Sequence, residues 1–209
     1  MPSRCAHILP ILALAVVLAT SAEIEHRVRL GVDVLPTDVE ADGTLTINGF
    51  EVDFADLEGD YDQAGRATLQ YSARIGEQIA AVLGGGLAYG RTEDEDGEIL
   101  TEFGGIVEGG ISVRLAPWFD LEAVVPFGFG VGDLDDVDSD EVTYVDLAVL
   151  LRPVVTIGER WQLFGQVGFI ARRESVEYDE IDEEGDQLDV EMDIEQDGFM
   201  AGLGVGVVF

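Results

Sequence analysis

Phe199-Met200-Ala201-Gly202-Leu203-Gly204-Val205-Gly206-Val207-Val208-Phe209 is the stretch that decides the fold. In an extended chain successive side chains point to opposite sides, so Phe199, Ala201, Leu203, Val205, Val207 and Phe209 share one face. Met200, Gly202, Gly204, Gly206 and Val208 share the other. A sheet standing in water has little reason to carry an uninterrupted apolar face ending on an aromatic residue. A strand whose outer face meets lipid needs both features.

Seven earlier segments alternate in the same way. They are Arg27 to Leu35, Arg66 to Gly76, Ile79 to Arg91, Ile99 to Leu115, Phe119 to Val131, Val142 to Ile157, and the run from Trp161 through Phe169. The clearest sets Phe119, Leu121, Ala123, Val125, Phe127, Phe129 and Val131 against Asp120, Glu122, Pro126, Gly128 and Gly130. Connections alternate short and long: tight turns at Glu77, Pro117 and Glu159, and polar loops over 36–65, 92–98, 132–141 and 174–197. Eight strands joined this way predict an all-β fold, an eight-stranded antiparallel up-and-down transmembrane β-barrel, with both ends of the barrel chain on the short-turn side. Trp118, Phe119, Trp161 and Phe209 would form one aromatic girdle, and Tyr89, Phe103, Phe129 and Phe169 the other. Within 36–65, the arm from Thr44 to Ile47 is too short to span, and Asn48-Gly49 favours a hairpin turn, so this segment reads as an outer hairpin or a lid over the mouth.

The first 22 residues read as a secretory signal peptide: Arg4, an apolar run from Ile8 to Ala19, and small residues to Ala22. Residues 23–209 are then the barrel domain. Cys5, the only cysteine, would leave with the signal, so neither a disulfide nor thiol chemistry is expected.

Charge is segregated along the chain. The net charge is −32, there is no lysine, and 33 of the 43 acidic residues fall in the four loops, whose interiors hold no basic residue. Nucleic acid is therefore excluded as a partner. Inside the strands, Arg29, Asp33, Arg74, Glu108, Arg114, Glu122, Asp146 and Arg152 fall on the face away from lipid. An eight-stranded barrel is just wide enough inside for side chains, so these charges are expected to pair as a lumenal network and not to line a pore. Inward glycines (Gly84, Gly104, Gly110, Gly128, Gly202, Gly204) would make room for them.

Calcium is the specific alternative for the loops. Asp133, Asp135, Asp136, Asp138 and Asp140 are candidate metal ligands, but Glu141 stands where a calcium loop needs its glycine and Leu147 where it needs its bidentate glutamate. Diffuse screening by divalent cations is the expectation. Catalysis is not expected, because His26 is the only histidine after the signal and sits at the opposite end from the long loops.

The alternating strands, the Pro117-Trp118 turn and the Val205-to-Phe209 ending resemble the small bacterial outer-membrane barrels of OmpA and OmpX type. The ending also resembles the β-signal read by the barrel-assembly machinery, with Phe199, Leu203, Val205, Val207 and Phe209 carrying it. The resemblance implies a non-enzymatic, cofactor-free monomer in the outer membrane of a Gram-negative-type bacterium. Its partners would be outer-membrane lipid and the assembly machinery, and its role structural or surface interaction. A small porin-like channel or transporter and a calcium-dependent surface binder are the alternatives; a soluble lipocalin-like barrel would put the apolar face inside and leave the aromatic rims unexplained.

Overall fold

A computed structural model describes residues 23–47, 49–94, 99–134, 141–181 and 187–209. The strands are β1 (Ile24–Val34), β2 (Asp38–Ile47), β3 (Phe50–Ile75), β4 (Ile79–Asp94), β5 (Ile99–Ala116), β6 (Phe119–Leu134), β7 (Glu141–Ile157), β8 (Trp161–Ile181) and β9 (Gln187–Val208). All pairings between neighbours are antiparallel. The sheet closes, because β1 pairs with both β3 and β9.

Nine strands make eight staves. β1 pairs with the C-terminal half of β3 and of β9, and β2 pairs with the N-terminal half of the same two strands. β1 and β2 are therefore one stave, interrupted at Leu35-Pro36-Thr37. Proline has no N–H to give to a ladder, which is the physical reason for the break at Pro36. Leu35 N still donates to Ala64 O at 3.0 Å, and Tyr61 N to Thr37 O at 2.8 Å, so the stave stays stitched to β3 across the joint.

The long connections differ from their sequence reading. Of 36–65, β2 and β3 take all but the joint, Gly49 and Asn48, which lies outside the described residues, as do 182–186 of 174–197. Of the two alternatives for 36–65 the structure has the hairpin and not the lid: β2 pairs with β3 and with β9 and continues the barrel wall. Loops 92–98 and 132–141 are likewise shortened by strand at 92–94, 132–134 and Glu141. Backbone hydrogen bonding explains the difference: acidic side chains at every second position do not prevent a ladder when their neighbours on the other face are apolar. At the opposite end the turns are tight, with Gly76 (φ 128°) and Gly158 (φ 66°) in the left-handed region that side chains avoid.

Candidate functional site

Period-two alternation sorts the barrel into two surfaces. Outside, Leu30, Leu69, Leu83, Phe103, Ile111, Phe127, Val149, Leu163 and Leu203 are exposed; inside, the arginines and carboxylates are buried. Phe199, Leu203 and Val205 are exposed on the outer face of β9, as is Phe209 just beyond it, and Val207 is half-exposed between them. At the seam between first and last strands His26 faces out, stacked against Tyr71 and Phe209, and Phe209 N donates to His26 O at 3.0 Å.

The lumen holds six buried arginines (Arg27, Arg29, Arg66, Arg74, Arg152, Arg172) and seven buried carboxylates (Asp33, Glu102, Glu108, Asp120, Glu122, Asp146, Glu174). Arg114 and Glu25, both partly exposed at the short-turn rim, are paired at 3.0 Å and bring the set to seven arginines and eight carboxylates. Glu122 is the hub. It accepts two hydrogen bonds from Arg29 at 2.8 Å, a third from Arg27, and lies 3.5 Å from Arg152. Asp120 accepts from Arg27 at 2.9 Å and from Arg114 at 2.9 Å and 3.2 Å, with Arg74 at 3.7 Å.

Higher up, Arg152 donates to both Glu108 oxygens at 3.0 and 3.2 Å and to Gln166 at 3.0 Å. Gln166 donates on to Asp33, and Arg66 joins Asp33 (3.5 Å) to Asp146 (2.9 Å). Nearest the outer mouth Arg172 bonds Glu174 at 2.7 Å and Glu102, over the ring of Tyr144. All eight residues of the expected network thus face the lumen. Arg27, Arg66, Glu102, Asp120, Arg172 and Glu174 belong to the same set of contacts and were left out of it, although the same alternation places each of them inward.

Such pairs are crowded, and glycine makes the room. A Cβ on Gly128 would sit 2.4 Å from Asp146 Oδ2, and one on Gly202 2.0 Å from Asp33 Oδ1. Beside the charges, Leu35, Ala64, Val82, Val124, Ala148, Leu150, Ile170 and Met200 form one buried apolar cluster. The lumenal charges are paired with one another, while Arg29 Nε, Asp33 Oδ2, Arg66 Nε, Asp146 Oδ1, Arg172 Nη1 and Glu174 Oε2 are buried without a hydrogen-bond partner among the described residues.

Above the band with the apolar outer face the polarity of the wall inverts. On the raised sheet of β2, the upper part of β3, and the upper parts of β8 and β9, Met192 and Ile194 pack inward on a buried cluster of Leu100, Val142 and Val176. Phe54 lies over Gly43 on that inner side. The outer side is acidic, in cross-strand rows: Glu58 beside Glu40 beside Glu195 beside Arg173, then Asp42 beside Asp193 beside Ser175. Like charges directly opposite one another destabilise a sheet, and here one arginine offsets them. Arg173 donates to Asp193 at 2.6 Å, and this guanidinium holds the Asp193 carboxyl below its ordinary value. A depression of about 570 Å³ beside Glu40 is lined by Asp38, Glu58, Glu195 and Asp197 as well.

Of the calcium candidates, Asp133 is exposed at the end of β6, and Asp135, Asp136, Asp138 and Asp140 lie outside the described residues, as does the expected signal at 1–22. No three histidine, cysteine or carboxylate side chains among the described residues are grouped so as to hold a metal ion.

No protein-family model matches the sequence, and no curated protein matches it. Solved structures do. The outer membrane protein OprG from Pseudomonas aeruginosa is similar at a TM-score of 0.61 and 10% identity, over 90% of this chain and 97% of that one. Ail, the attachment invasion locus protein of Yersinia pestis, solved with the heparin analogue sucrose octasulfate, aligns over 90% of this chain and 99% of its own. The TM-score of that alignment is 0.44, at 14% identity. The chain is a closed eight-stranded antiparallel barrel of the architecture found in outer-membrane barrel proteins.

Proposed function

We propose that this protein is a non-enzymatic outer-membrane barrel that presents an acidic sheet to the outside. The observation that supports this best is the inversion along single strands. β9 carries Phe199, Leu203 and Val205 outward below, and Glu191, Glu195 and Asp197 outward above. Lipid would favour the first set and water the second, which supports a membrane boundary between Asp197 and Phe199. The ion-pair plug favours a structural or surface-interaction role over transport.

Detergent-extracted protein is expected to migrate differently on a gel before and after boiling, and to give no steady conductance in planar bilayers. Steady single-channel conductance would replace this reading with that of a small porin-like channel.

A further inference from the structure

We infer that the upper part of β3 is a docking edge for an extended polypeptide segment in which basic and apolar residues alternate. This rests on the outer-membrane reading, in which the acidic sheet stands outside the lipid. β3 begins at Phe50, yet β4 joins it only at Tyr61, opposite Asp94. On its other side β3 is paired from its first residue, with Phe50 opposite Ile47 of β2. Among the described residues, no strand lies along the β4 side of residues 50–60. At an unpaired edge, alternate residues turn N–H and C=O outward in the plane of the sheet, a template on which one more strand can pair. The run Phe50–Phe54 is the regular part of that edge, in unbroken register with Ile47 back to Gly43, and the register shifts just below it, between Gly43 and Ala41.

The two faces of this run ask for different side chains. Phe54 lies over Gly43 on the inner side, so Phe50 and Val52, at alternate positions, share that side. Both are open, at 78% and 55% exposure, and Leu57 farther down is 53% exposed. On the outer side Glu51 and Asp53 are exposed, and the acidic row continues from Asp53 past Thr44 to Glu191 and Glu177. A strand added at the edge would set alternate side chains beside Phe50 and Val52 and the intervening ones beside Glu51 and Asp53. Apolar residues stabilise the first pairs by covering exposed surface, and Lys or Arg the second by opposite charge. Ladder hydrogen bonds would hold any extended segment, and the alternating side chains select this one. The same edge of a second copy does not fit, since its outward carboxylates would stand against Glu51 and Asp53.

Each variant is first checked for heat-modifiable migration. Folded protein in a neutral detergent is then titrated, by fluorescence anisotropy, with a labelled peptide of alternating Lys and Val. Two control peptides are an alternating Glu and Val sequence, and the Lys–Val peptide N-methylated at two adjacent central residues, which blocks both of its edges while keeping its charge. Wild type is expected to bind the Lys–Val peptide, and each control roughly tenfold more weakly, as lost ladder bonds or two reversed cross-strand charge pairs allow. Hydrogen exchange should slow at amides within 50–54 when that peptide is bound. The double variant Glu51→Lys with Asp53→Lys should reverse the preference and favour the Glu–Val peptide. Absence of binding by folded wild type, equal binding of the N-methylated or the Glu–Val peptide, or an unreversed preference in the double variant would each overturn the edge. Protection of 50–54 that rises with protein concentration in the absence of peptide would also overturn it, by showing a second copy as the occupant. Wild type that shows no heat-modifiable form would overturn the outer-membrane reading instead.

Discussion

The lower barrel and the raised sheet are built from the same strands with opposite polarity. In the barrel, apolar side chains point out and charges point in; in the raised sheet Met192 and Ile194 point in and Glu191, Asp193 and Glu195 point out. Backbone pairing is continuous through both on β3, β8 and β9. The difference teaches that the ladder is indifferent to what surrounds it: the same paired strands carry apolar side chains outward below and acidic ones outward above. Satisfying backbone groups by closure is what both environments permit.

The largest effect should come from breaking the lipid side. Changing Val207 and Phe209 together to Asp puts two carboxylates on the apolar face of β9, beside His26 at the closing seam, and should abolish heat-modifiable barrel in the outer membrane. Normal amounts of folded double mutant would mean that this face does not need lipid.

Next comes the lumen. Glu122→Ala leaves Arg27 and Arg29 buried without their shared acceptor, and should cost about 3–5 kcal/mol in urea unfolding from lipid vesicles. Glu108→Ala, which frees Arg152, should be of the same order; Arg114→Ala, at the partly exposed rim, should cost clearly less. If all three are equal, depth in the plug does not matter and the contrast between buried and rim charge is wrong.

A milder effect is expected on the inner face of the raised sheet. Met192→Asp places a charge against the Leu100, Val142 and Val176 cluster and should speed hydrogen exchange in the upper halves of β2 and β9, with gel migration of the barrel unchanged. Loss of the whole barrel would show that the two regions fold as one unit.

The outer face should respond least. With Asp193 held low by Arg173, the pair contributes above the ordinary aspartate value, and its contribution fades as pH falls through the lowered one. Carbon-13 titration of the Asp193 carboxyl should therefore move upward in Arg173→Gln. Smaller still, Ca²⁺ and Mg²⁺ should order the acidic upper strands weakly and equally, as screening does. Saturable micromolar Ca²⁺ binding with Mg²⁺ inert, seen by calorimetry, would instead reveal a built calcium site.

Much of this was legible in residue order because period two is a local property. The strands, the outward face from Phe199 to Phe209, the tight turns at Glu77, Pro117 and Glu159, and the inward placement of Arg29, Glu122 and Arg152 all follow from counting alternate positions. Tertiary structure alone decided the partners. Arg27 meets Asp120 across 93 residues because closure and stagger bring β1 over β6, and alternation carries no information about stagger. It also decided that 38–47, 50–65, 174–181 and 187–197 are wall. The bulges between Ala41 and Gly43 and between Tyr61 and Gln63 each shift the alternation by one residue, so the upper strand of β3 loses its pattern to the eye while keeping its apolar side turned inward. A one-residue slip is invisible in a list of residues and is read only against the strand that pairs with it.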